Sequence, residues 1–174
     1  MEITARPTPE SVAAVNDLFD RLRSLGERLG PVLVDTAIAF AQYVVADIFE
    51  GEGVSGIIGG RDWAPLKKRT QRERIALNLA GIGAEHPILY RTGGLMRSIV
   101  MEGDPNNVVE KGRVGPGRWR GRLGTSHEHF EELQRGRDAP TKMHARPMWP
   151  VGGAEVRFAA RLGEVLRQVV EDKL

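Results

Sequence analysis

At 174 residues, with 41% apolar and 28% charged side chains, the chain is long enough to bury a core and too apolar for wholesale disorder. The absence of cysteine excludes disulfide frameworks, thiol nucleophiles and thiolate metal sites, and leaves four histidines as the soft ligands. A net charge of +2 conceals an uneven distribution, because residues 1–50 carry four arginines against eight carboxylates, leaving 21 basic and 15 acidic residues beyond them.

Thr8, Pro9 and Glu10 read as an N-cap, a first-turn proline and a favourable first-turn acid. Val12, Val15, Leu18, Phe19, Leu22, Leu25 and Leu29 then recur at spacings of three and four, which predicts an amphipathic helix ended by Gly26 or Gly30. Pro31 can open a second helix, with Val34, Ile38, Ala41, Val45 and Ile48 as its main stripe. Leu33, Ala37, Phe40, Val44 and Phe49 widen that stripe until the helix needs partners on more than one side, and other subunits could supply them. Residues 1–50 are therefore expected to form a helical pair. Five glycines within residues 51–61 predict a mobile loop, able to order on docking.

From Asp62 the texture changes to that of an α+β core extending to Pro150. A short amphipathic helix is expected over Leu66 to Leu79, extended chain at Pro87 to Tyr90, and a helical turn at Thr92 to Leu95. Periodicity near two predicts strands at Ser98–Glu102, Val108–Val114 and Arg118–Leu123, with an edge strand at Met143–Met148. His127–Gln134 reads as a short helix. Gly153–Lys173 reads as a closing amphipathic helix with Val156, Ala159, Ala160, Leu162, Val165, Leu166, Val169 and Val170 inward. The expected fold is a single α+β domain, in which long N-terminal and C-terminal helices pack on a small antiparallel sheet of three to four strands.

Lys111, Arg113, Arg118, Arg120 and Arg122 form an acid-free basic stretch that suits nucleic acid or an acidic protein surface, or is simply a solvated hairpin. Strand alternation sets Trp119 opposite its flanking arginines, so it reads as a core residue. His127 and Glu131 would share a helix face, but a zinc peptidase motif needs histidine where Glu131 stands. The glycine-rich segment lacks the lysine of a P-loop, and no serine stands in a nucleophile elbow. These patterns predict a protein that is not an enzyme and holds neither cofactor nor metal. No stretch of about 18 uninterrupted apolar residues is present, so no membrane partner is expected.

Asp62-Trp63-Ala64-Pro65-Leu66, followed by Thr70 and Arg72, resembles a signature of the phage virion morphogenesis family. That family includes tail-completion and neck proteins of Mu-like and P2-like phages and is similar to tail components of siphophages. Further blocks follow in the family's order: Leu89 through Thr92, Gly93, Leu95, Ser98 and Ile99; Gly124-Thr125 with Gln134 and Gly136; and Ala145-Arg146-Pro147 before the last helix. Together they span roughly residues 62–150. The chain departs from the pattern at His129-Phe130 and Leu133. The resemblance implies a structural virion protein that joins or completes head and tail, assembled in the host cytoplasm. It implies a homo-oligomeric ring, sixfold to match the tail, touching neck, connector or tail-tube proteins, with DNA in the channel as a further partner. A nucleic-acid-binding module using residues 111–122 is the alternative.

Overall fold

A computed structural model describes residues 9–60, 62–63, 68–76, 94–136, 146 and 148–174. The apolar stripes read as a helical pair lie on one continuous helix, α1, Pro9–Glu50, which runs through Pro31. A proline inside a helix removes one backbone hydrogen bond and crowds the preceding turn, at a cost of about 3 kcal/mol or more. The helix continues because a β-hairpin lies across this weak point. Strand β3, Asn107–Gly115, pairs antiparallel with β4, Arg118–Thr125, and the hairpin packs along α1 on both sides of the proline.

The two glycines read as helix stops make that packing possible. A Cβ on Gly30 would lie 2.0 Å from Cδ1 of Trp119, and one on Gly26 would lie 3.1 Å from the carbonyl oxygen of Gly117. Beyond the proline, a Cβ on Gly121 would come within 2.9 Å of Val34 and 3.2 Å of Ile38. Glycine therefore serves close approach here, and its low helix propensity is outweighed by tertiary contact. Ion pairs repeat the bracing. Arg113 meets Glu27 before the proline, and Lys111 meets Asp35 after it at 2.8 Å. Glu27 also accepts the Gly117 amide at 2.8 Å.

A Schellman motif ends α1: the Gly53 amide donates to the Ile48 carbonyl at 2.8 Å and the Glu52 amide to that of Phe49 at 3.4 Å. Glu52 takes the left-handed conformation, φ 50°, usually reserved for glycine. Strands β1, Val54–Ser55, and β2, Gly59–Gly60, then form a minimal hairpin. The expected mobile loop is thus a packed element. Ile58 is fully buried, and Ser55 donates to Asp47 at 2.5 Å while accepting the amides of Ile57 and Ile58. Its glycines serve turn geometry, with φ 106° at Gly53 and 68° at Gly59.

Helix α2 covers Lys68–Ala76, and helix α3 covers Gly94–Val100. The strand expected at Ser98–Glu102 does not form, because Leu95, Ser98 and Ile99 share one buried helical face. Among the described residues the expected single sheet of three to four strands is replaced by two separate two-stranded sheets. The mixed α+β class stands. Helix α4 spans Phe130–Arg135, starting three residues later than expected. The expected extended segment at 87–90 lies outside the described residues, as does most of the expected strand at 143–148.

The core gathers Val44, Val45, Ile48 and Phe49 of α1 with Ile58, Trp63, Leu95, Ile99, Met148 and Ala154. Trp63 meets Phe49 edge-on, with ring centroids 5.6 Å apart. The last turns of α1 are thus matched by its own chain, while Leu33, Val34, Ala37 and Phe40 stay partly exposed. Helix α5, Gly153–Glu171, docks through Ala154 and through Phe158, which stacks on Phe40 at 5.5 Å. Val156, expected inward, is 71% exposed, and Ala159 and Ala160 are also exposed, because the helix touches the body along a narrower stripe than its composition offers.

The Gly30–Trp119 contact gives a sign test in urea unfolding. Gly30→Ala should destabilise the protein by about 1 to 3 kcal/mol through overpacking. In a Trp119→Ala background the same change should stabilise it by about 1 kcal/mol, the ordinary helix preference for alanine. Stabilisation in both backgrounds would show that the hairpin does not rest on α1. Separately, Glu52→Gly should raise stability by about 1 kcal/mol by relieving the left-handed backbone.

Candidate interaction surfaces

Strand alternation divides the basic stretch into two faces. Opposed residues in the β3–β4 register share a side, so Lys111 with Gly121 and Arg113 with Trp119 point toward α1. Both cations are committed there, to Asp35 and Glu27. The hydrogen bond that Lys111 donates to Asp35 holds its ammonium above the ordinary lysine range. Arg118, Arg120 and Arg122 remain on the outer side, all exposed. Arg122 lies 3.5 Å from Glu110 across the strands. The expected five-residue patch is therefore a three-arginine face. Trp119 sits half-buried over α1 as alternation predicts, with its indole nitrogen buried and without a hydrogen-bond partner among the described residues.

The residues that carried the family resemblance meet in buried joints between elements. Thr125 donates to Ser98 at 2.7 Å, and Ser98 donates to the Leu95 carbonyl at 2.7 Å. Asn107 closes the same junction by donating to the carbonyls of Ser98 and Ile99. Leu95 is buried, Gly124 is half-buried beside Thr125, and Trp63 is buried on Phe49. Gln134 accepts the amides of Met148 and Trp149 at 2.8 and 3.1 Å, while the Arg146 amide donates to the Leu133 carbonyl at 2.7 Å. Thr70 is half-buried on α2. Leu66, Thr92, Gly93 and Pro147 lie outside the described residues. Where these motif positions are described, most fasten α3 to the hairpin and α4 to the approach of α5.

The histidine cluster is brought together only loosely. His127 precedes α4 and accepts the His129 amide at Nδ1, 3.4 Å away, while His129 lies 3.4 Å from Glu128. Among the described residues no three metal-capable side chains converge.

Two apolar surfaces stand open among the described residues, the second on the stretch of α1 whose wide stripe calls for partners on more than one side. The first is the N-terminal limb of α1, where residues 12–24 are exposed. Val12, Val15, Leu18, Phe19 and Leu22 stand 45–58% accessible. The second is a groove of about 520 Å³ between α1, β4 and α5, lined by residues that include Val34, Ala37, Leu123, Phe158, Leu162 and Leu166. Helix α1 also contains an 18-residue window of mean hydropathy 1.7, so by length and composition it could cross a membrane. In the structure, the apolar half of this helix carries the hairpin, α3 and α5. Two of its polar groups are committed to them, Asp35 to Lys111 and Gln42 to the Ile99 carbonyl.

Two kinds of charge change should separate the two faces of the hairpin. Glu27→Ala, which strips partners from Arg113 and the Gly117 amide, should lower unfolding free energy by about 1 to 2 kcal/mol. Serine in place of each outer arginine should move it by no more than about 0.5 kcal/mol. Equal effects in chemical denaturation would contradict the assignment of faces. In the comparisons with known proteins, no family model matches the chain, and neither a curated protein nor a solved structure matches it.

Proposed function

We propose that this chain is a structural protein of a tailed phage or phage-like particle, acting in the neck to join or complete head and tail. It works through contacts between subunits, without catalysis. The ordered sequence blocks support the reading through their family resemblance. The observation that carries the mechanism is the exposed apolar limb of α1, five large apolar side chains along one face of a helix that the described residues leave uncovered. Such a face marks an interaction site. A small α+β body with one projecting helix suits a ring component, because head-to-tail contacts close into a ring when the rotation between subunits allows. Sixfold closure would match a phage tail.

Particles made without this protein should accumulate as filled heads and separate finished tails under the electron microscope. Normally joined particles would contradict the assignment.

The three-arginine face supports a second reading, contact with nucleic acid. The two roles are compatible, since a ring around a DNA channel can turn basic side chains toward its lumen. Three phosphate contacts would give duplex-DNA binding a log–log salt slope of about −3. Glutamate at Arg118, Arg120 and Arg122 should abolish that binding, while Lys111→Glu should spare it. Binding that survives the triple change would remove the face from this role.

A further inference from the structure

The two halves of α1 are supported separately. Val44, Val45, Ile48 and Phe49 lie in the core and fix the C-terminal half. The N-terminal limb is exposed over residues 12–24 and carries its own helical ion pairs, Asp17 with Arg21 and Asp20 with Arg23. Between the halves stand Gly26, Gly30 and Pro31. Sharp helix kinks, of more than about 20°, form characteristically at proline. Pro31 has no N–H, so the Glu27 carbonyl lacks the donor that normally stands four residues on. Beside the same turn, the indole nitrogen of Trp119 is buried without a hydrogen-bond partner among the described residues. The continuous helix thus leaves an acceptor and a donor at one turn without their usual partners.

The hairpin grips this turn from one side. Trp119 lies on Gly30, Gly117 lies against Gly26, and Glu27 takes the Arg113 guanidinium and the Gly117 amide, the latter at 2.8 Å. These contacts fall between Gly26 and Gly30, within about 7 Å of Pro31 along the axis, whereas the limb extends about 33 Å beyond it to Pro9. The grip is short and the lever is long.

We propose that Pro31 is a hinge and that the hairpin is its latch, with Trp119 and Glu27 setting the direction in which the limb points. While they are seated, the limb has one bearing. When they let go, it swings at Pro31 as a helical segment, and the turn opens so that water reaches the Glu27 carbonyl. A swing of about 20° displaces Ala14, about 25 Å from the hinge, by about 8 Å. Hinges of this kind carry a segment between two settings through a change confined to a few residues. The hinge is independent of the neck reading; combined with it, any contact that unseats the hairpin turn also redirects the limb.

Distances within the full-length chain test this, because no native cysteine competes with introduced ones. Spin labels on Ala14→Cys with Arg120→Cys, and on Ala14→Cys with Arg167→Cys, view the limb from the hairpin and from α5, and all three positions are exposed. Labelled chains are diluted into unlabelled ones, so that double electron–electron resonance reads one chain at a time. The otherwise wild-type chain should give one distance for each pair. Trp119→Ala should add a second population in at least one pair, and Pro31→Ala introduced with it should remove that population again. Circular dichroism first checks that each variant keeps wild-type helicity. Should Trp119→Ala lose it, Glu27→Ala opens the latch from the helix side instead.

A single unchanged distance in a folded, unlatched variant would overturn the hinge. Two populations of comparable size in the wild-type background would overturn the latch. A second population that persists after Pro31→Ala would place the motion elsewhere in α1 and overturn the hinge as well.

Discussion

The structure depends on one contact, the seating of the β3–β4 hairpin across α1 at Pro31. Without it, α1 is a 42-residue helix weakened at its middle by a proline and two glycines. With it, Trp119 lies on Gly30, Gly121 lies against Val34 and Ile38, and two ion pairs grip the helix on either side of the proline. The exposed ion pairs alone would contribute little, since such pairs are typically worth under about 1 kcal/mol. Their value lies in register. They hold the strand where the glycines allow it to come close. The same seating commits Lys111 and Arg113, and it leaves Arg118, Arg120 and Arg122 facing solvent.

Among the described residues the hairpin braces α1 from about Arg23 onward. The body, made of the C-terminal half of α1, the hairpin, α3 and α5, is fixed by shared burial around Val44, Val45 and Ile99. Among the described residues the N-terminal limb shares none of that burial and is held by helix continuity and local pairs such as Arg21 with Asp17. A surface that a chain leaves unburied on a helix this long costs solubility unless something covers it, and the neck reading supplies subunits to do so.

Much of this was legible in the residues themselves. Alternation around Trp119 gives the hairpin and its outward arginines, and the three-and-four spacing of Ala159, Leu162, Leu166 and Val169 gives α5. Gly26, Gly30 and Pro31 were misleading because their local preference ends a helix, while their partner, Trp119, lies 89 residues from Gly30. Residues 51–60 misled in a similar way: glycine permits mobility and also permits left-handed turns, and only the burial of Ser55 and Ile58 decides between them. At Ser98 and Ile99 a short apolar run suits either period, and the helix is chosen by Thr125 and Asn107, which satisfy its polar groups from another element. The interaction surfaces were harder to find. An apolar stripe on a helix looks the same in sequence whether it faces a core or a neighbour.

Hydrogen exchange across α1 at low and high protein concentration tests the central claim most directly. A braced helix with a limb awaiting a second copy predicts strong protection over residues 33–48 at every concentration. It also predicts rapid exchange over residues 12–24 in dilute solution, slowing at least tenfold as copies associate. Uniform protection of the whole helix in dilute solution, or rapid exchange of the limb at all concentrations, would contradict it.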